Sequence, residues 1–197
     1  MEQRRTDFYP PPLQRYQRDR LDPLLGKKID SLGTLTLGAI YYDLHWQKPS
    51  YSAEVYASLA LDESLFGASE AILNPTFSAY FDSLQTNGFY LRLDLSHSFD
   101  LSSVCGLSQN WSLDLGSSLG WSSGDNIQHW YGEDDARGSF THFMARLGLT
   151  IPLLKTEHSS LKFKPFISWF STLDRIHQNS GLDQEAWVGG ASLLLEF

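Results

Sequence analysis

The chain has 197 residues, enough for one β domain with a tail, and its single cysteine, Cys105, excludes an internal disulfide and a metal cluster built on thiolates. No run of about 18 apolar residues occurs, which excludes a transmembrane helix, whereas a hydrophobic fraction of 42% fits both a soluble protein and a β-barrel that alternates lipid-facing with lumen-facing residues. Net charge is -8, yet Arg4, Arg5, Arg15, Arg18, Arg20, Lys27 and Lys28 all precede residue 29, so the remainder is acidic and carries no basic stripe for nucleic acid.

Residues 1–32 read as a separate segment. Pro10, Pro11 and Pro12 and the basic run lead to Asp22-Pro23, which is placed to start a short helix through Leu24, Leu25 and Ile29. We expect a tail on the periplasmic side, a short helix on a membrane surface, or a disordered leader. Residues 1–20 lack the apolar core of a signal peptide, so an exported protein is expected here in its mature form.

From Gly33 the hydrophobic period is two, which predicts a β domain over 33–197. The first strand, about 33–46, is irregular: Leu35 and Leu37 are out of phase with Ile40, Tyr42, Leu44 and Trp46, which predicts a bulge near Gly38. Next, Ala53, Val55, Ala57, Leu59 and Leu61 oppose Glu54, Tyr56 and Ser58, and Leu73, Pro75, Phe77, Ala79 and Phe81 oppose Thr76, Ser78, Tyr80 and Asp82. The clearest strand covers 89–101, with Phe89, Leu91, Leu93, Leu95, His97 and Phe99 on one face and Tyr90, Arg92, Asp94, Ser96, Ser98 and Asp100 on the other. Trp111 and Trp121 bracket an apolar row of the length that a tilted strand needs to cross a bilayer. Similar rows occupy 143–153, 161–169 and 187–197.

The sum is about eight antiparallel strands. An even number fits a closed up-and-down transmembrane β-barrel with both ends on one side, and the two longest connections, 122–138 and 174–184, fall on the opposite side, as extracellular loops do. With the apolar rows against lipid, Glu54, Arg92, Asp94, Asp114, Arg146, Lys162, Lys164 and Glu196 point inward, where both signs predict a paired ionic network filling a narrow lumen. Six Trp, nine Tyr and twelve Phe supply membrane-interface aromatics, among which Trp111, Trp121, Trp169, Trp187 and the terminal Phe197 close apolar rows. The alternative is a soluble sandwich with those rows in its core.

No pair among the six histidines has metal-ligand spacing, and no cofactor motif is present. His97 and Ser98 are candidates for a lipid-modifying enzyme, but neighbours on a strand point to opposite faces and cannot act together. Asp43 and His45 share a face and read as a structural pair. The acidic, aromatic run Trp130-Tyr131-Gly132-Glu133-Asp134-Asp135 could attract calcium, but lacks the spacing of a calcium loop and reads as solvated.

At Ile40-Tyr41-Tyr42-Asp43, Glu54-Val55-Tyr56-Ala57-Ser58-Leu59, Leu73-Asn74-Pro75-Thr76-Phe77, Tyr80-Phe81-Asp82, Leu95-Ser96-His97-Ser98-Phe99 and Leu113-Asp114-Leu115-Gly116-Ser117-Ser118-Leu119-Gly120, the chain resembles outer-membrane porins of the TorF type and related outer-membrane barrels. The likeness covers residues 35–121 and is looser beyond. It implies a Gram-negative outer-membrane location and contact with outer-membrane lipids, and it carries over no catalytic residue. Outer-membrane barrels commonly end in an aromatic that the barrel-insertion machinery reads; Phe197 matches, while Ser192 stands where that pattern has Gly. Relatives of this type have further strands before the Ile40-Tyr41-Tyr42 segment, where this chain has its Pro-rich run. The expected function is therefore a structural outer-membrane barrel or a small-solute porin with a largely filled lumen. The alternatives are an outer-membrane lipid-modifying enzyme and a soluble barrel around an apolar ligand.

Overall fold

The computed structural model describes residues 25–29, 32–43, 51–62, 72–101, 111–131, 137–156, 158–173 and 185–196. Nine strands follow one another: β1 (Leu25–Ile29), β2 (Gly33–Asp43), β3 (Tyr51–Leu61), β4 (Thr76–Asp82), β5 (Gly88–Asp100), β6 (Ser112–Ser122), β7 (Ser139–Lys155), β8 (Ser160–Thr172) and β9 (Glu185–Glu196). A helix, α1 (Gly124–Tyr131), lies between β6 and β7. Each strand pairs antiparallel with its neighbour in sequence, so the chain is an all-β up-and-down sheet in the order β1 to β9. Among the described residues, β1 and β9 are its two unjoined edges.

Alternation with period two produces this architecture, because every strand presents one row of side chains to each face. The register keeps those rows continuous across the sheet: Ala39, Val55, Phe81 and Phe89 lie side by side on one face, and Tyr56, Tyr80 and Tyr90 on the other. Strand length varies widely, from seven residues in β4 to seventeen in β7 among the long strands.

The structure departs from the sequence expectations in four places. Residues 25–29, expected as tail or short helix, form β1, so nine strands and not eight lie among the described residues. The tight return to β2 explains this: Leu32 donates its N–H to the Ile29 carbonyl at 3.1 Å, and Gly33 adopts φ 137°, which a side chain would not permit. The bulge expected near Gly38 is absent, since β2 pairs with β3 without a shift from Gly33 to Asp43. Instead, Leu35, Leu37, Ala39 and Tyr41 share the outward face and Ile40, 7% exposed, turns inward beside Glu54. Register shifts occur at two other points, between Gly120 and Trp121 and between Pro152 and Leu154. Finally, α1 occupies part of the connection 122–138, where the sequence predicts a loop.

Candidate functional site: a polar interior lined with rings

The two faces of the sheet have opposite chemistry, and the usual arrangement is reversed. On the outward face the apolar rows are open: Val55, Phe77, Leu91, Leu115, Leu147 and Ile167 are all more than 40% exposed, and Trp187 is 69% exposed. On the inward face the buried residues are mostly polar, including Ser52, Glu54, Ser78, Asp82, Ser118, Ser122, His142, Ser168 and Thr172.

All eight predicted charged positions lie on the inward register, but they do not form one network. Arg92 Nε meets Asp94 Oδ2 at 2.7 Å, and its guanidinium lies 5.7 Å from the Tyr80 ring centre. Toward the end of the sheet where the chain terminates, Lys162 Nζ meets Glu196 Oε2 at 2.7 Å, and the Ser160 hydroxyl donates to the same oxygen at 2.6 Å. Asp114 is held chiefly by hydroxyls: Ser98 donates at 2.5 Å, Thr150 at 2.6 Å and Ser112 at 3.1 Å. Lys164 is near enough to Asp114 to interact with it electrostatically. Arg146 sits 4.0 Å above the Phe166 ring. Glu54 lies at the opposite end, buried directly across from Asp82. Asp82 caps the β4–β5 turn by accepting the N–H groups of Leu84 and Gln85, and takes the Ser52 hydroxyl at 2.9 Å.

Between these clusters runs a feature that hydropathy alone did not reveal. Tyr56 and Tyr80 stack with ring centres 5.6 Å apart, Tyr80 and Tyr90 follow at 5.6 Å, Tyr90 and His142 at 6.1 Å, and His142 and Phe170 at 5.1 Å. The row crosses β3, β4, β5, β7 and β8, which makes it a belt across the polar face of the sheet rather than a ladder along one strand. Glycines make room for it. A Cβ on Gly38 would lie 2.6 Å from the Tyr56 ring, and one on Gly120 would collide with the His142 ring and approach the Tyr90 hydroxyl to 2.9 Å. His142, 3% exposed, is held between the Tyr90 hydroxyl at 3.4 Å from Nε2 and the Thr141 hydroxyl at 3.1 Å from Nδ1. The sequence signal for this belt is an inward Gly on one strand beside an inward ring on the next.

Helix α1 packs against β5 at the end of the sheet that carries Glu54 and Asp82. Ile127 is 1% exposed, Asn126 donates to the Phe89 carbonyl at 3.3 Å, and the ring of His129 lies 3.2 Å from Gln85. The Ser123 carbonyl accepts the Ile127 N–H, and its hydroxyl accepts the Phe89 N–H at 2.9 Å, joining helix and strand at one residue.

Of the predicted interface aromatics, Trp121, Trp169 and Trp187 gather at this same end, with Trp169 paired across to Trp187, while Trp111 flanks the other end of β6. Phe197 lies outside the described residues. His97 and Ser98 point to opposite faces: Ser98 turns inward to Asp114, and His97 turns outward beside Phe99, with ring centres 4.2 Å apart. The Asp43 side chain, His45 and residues 132–135 also lie outside the described residues. Among those described, no cluster of metal-ligating side chains is present. No protein-family model, curated protein or solved structure matches the chain.

Proposed function

We propose that this protein is a membrane-spanning β-barrel of a Gram-negative outer membrane with a structural role, its interior filled by side chains rather than open to solutes. The inverted distribution of polarity carries this reading. A sheet in water hides its apolar face, whereas here Leu, Phe and Trp rows are exposed and serines, carboxylates and a histidine are buried. Hydrocarbon is the solvent in which that arrangement is favourable, because the lipid covers the apolar rows while inward groups such as Ser98, Thr150 and Asp114 pair with one another.

The ring belt and the paired charges favour a filled interior over a porin. Side chains at one level occupy the space a solute would need, and an interior of about eight strands is just wide enough to be filled. A catalytic role has less support, since the His97 and Ser98 side chains are separated by the sheet itself. Partners on this reading are the surrounding lipids and the machinery that inserts barrels through a C-terminal strand.

Heat-modifiable migration on a detergent gel tests the membrane barrel. Protein refolded with phospholipid should migrate differently before and after boiling, and purified protein should give no conductance steps in planar bilayers. Water-soluble, monomeric protein without detergent overturns the membrane reading, and discrete conductance steps overturn the filled interior.

A further inference from the structure

We infer that the edge of β2 is the docking surface for β9 of the same chain, and that β1 is a placeholder which β9 displaces when the barrel closes. This rests on the membrane reading above and specifies the seam it requires. Lipid cannot hydrogen-bond to an open strand edge, so a spanning sheet must join its ends.

Direction comes first. In an unbroken antiparallel order, the first and ninth strands run the same way, so joining β1 to β9 makes a parallel seam. β2 and β9 run in opposite directions and make an antiparallel one, leaving an even number of strands in the ring.

Length is compatible with this seam. β9, at twelve residues, can cover all eleven of β2.

Chemistry agrees with direction. Lys27 pairs with Leu35, which places its ammonium on the outward apolar face, and Leu25 beside it is 76% exposed. β9 carries Trp187, Gly189, Ala191, Leu193 and Leu195 on that face, in phase with Leu35, Leu37, Ala39 and Tyr41 of β2. The inward faces also fit. The Tyr56 ring leans over Gly38, and the Phe166 ring leans over Gly190 so closely that a Cβ there would lie 2.8 Å from it. Both edges thus present a glycine inward at the seam, each covered by a ring from the strand behind it.

Cysteine bridging tests the seam. In a Cys105→Ser background, Ala39→Cys is combined in turn with Gly189→Cys, Ala191→Cys and Leu193→Cys, while Lys27→Cys with Leu35→Cys reports β1 on β2. Each full-length protein is oxidised in detergent-free buffer and in vesicles of phosphatidylethanolamine and phosphatidylglycerol. The expected result is an intramolecular bridge from Ala39→Cys to one of the three β9 positions in vesicles, with loss of the β1–β2 bridge. Vesicle-bound, heat-modifiable protein that keeps the β1–β2 bridge and forms none to β9 overturns the seam alone. Bridged products of twice the chain mass place a second copy on the edge and also overturn it. Protein that neither binds vesicles nor shows heat-modifiable migration overturns the membrane reading and the seam with it.

Discussion

Glycine at position 120 does its work through what it omits. Between Tyr90 on β5 and His142 on β7, any side chain on β6 would occupy the space that the two larger residues share. Gly120→Ala should therefore displace the His142 ring and lower stability by about 1–3 kcal/mol, the usual cost of overpacking, read as a lower urea midpoint for loss of the heat-modifiable band. Asp114 is the opposite case, a residue valued for its acceptors. Asp114→Ala leaves the hydroxyls of Ser98, Ser112 and Thr150 without their shared carboxylate, and hydrogen bonds to a charged group contribute about 1.5–3 kcal/mol each before solvent exposure reduces them. A urea midpoint shift smaller than that for Gly120→Ala would show that water replaces the carboxylate readily. The inward placement of Asp114 was legible from alternation alone. The belt was not, because alternation places Tyr90 in a polar row and says nothing of which large side chains on neighbouring strands stand beside a glycine.

Strand phase was the most legible element-level property, since each of 89–101 and 112–122 keeps one unbroken period. The irregular elements were harder. In β2 the switch from Leu35 and Leu37 to Ile40 looked like a change of phase, but Ile40 turns inward beside Glu54, and Gly38 accommodates a ring rather than a bulge. The register shifts at Trp121 and Pro152 each leave one extra residue on β7, Thr141 and Leu153, which the alternation of the partner strand does not reveal. Helix α1 was missed because eight residues give barely two turns of pattern, below the length at which a 3.6-residue period stands out. Its docking depends on Ile127. Ile127→Ala should free α1 while the sheet persists, because burial of that side chain is worth about 2–5 kcal/mol, more than an isolated two-turn helix can replace. Hydrogen exchange should then accelerate across 124–131 and remain slow in β5 and β6.

For the molecule as a whole, the reversal of its faces has a measurable signature. Leu147 stands on the outward face near the middle of β7, 46% exposed. Leu147→Arg should cost about 2–4 kcal/mol if lipid covers that face at mid-depth, and close to nothing if water does. Urea titration of vesicle-refolded protein separates the two, and an unchanged midpoint would count against the membrane reading. The fold class followed from sequence because period two runs through the long strands. The ninth strand among the described residues did not, because Gly26, Lys27 and Lys28 of β1 carry no alternating signal.

On the proposed membrane reading, the uneven strand lengths impose a shape on the surrounding lipid. Seven residues in β4 span about 24 Å along the strand and less once tilted, while the seventeen of β7 span more than twice that. A wall low on one flank and tall on the other cannot match a slab of uniform thickness all the way round. On that reading a bilayer would pinch beside Phe77 and Ala79, or the barrel would lean until its short flank is covered, and either response would give neighbouring acyl chains a preferred side on which to disorder.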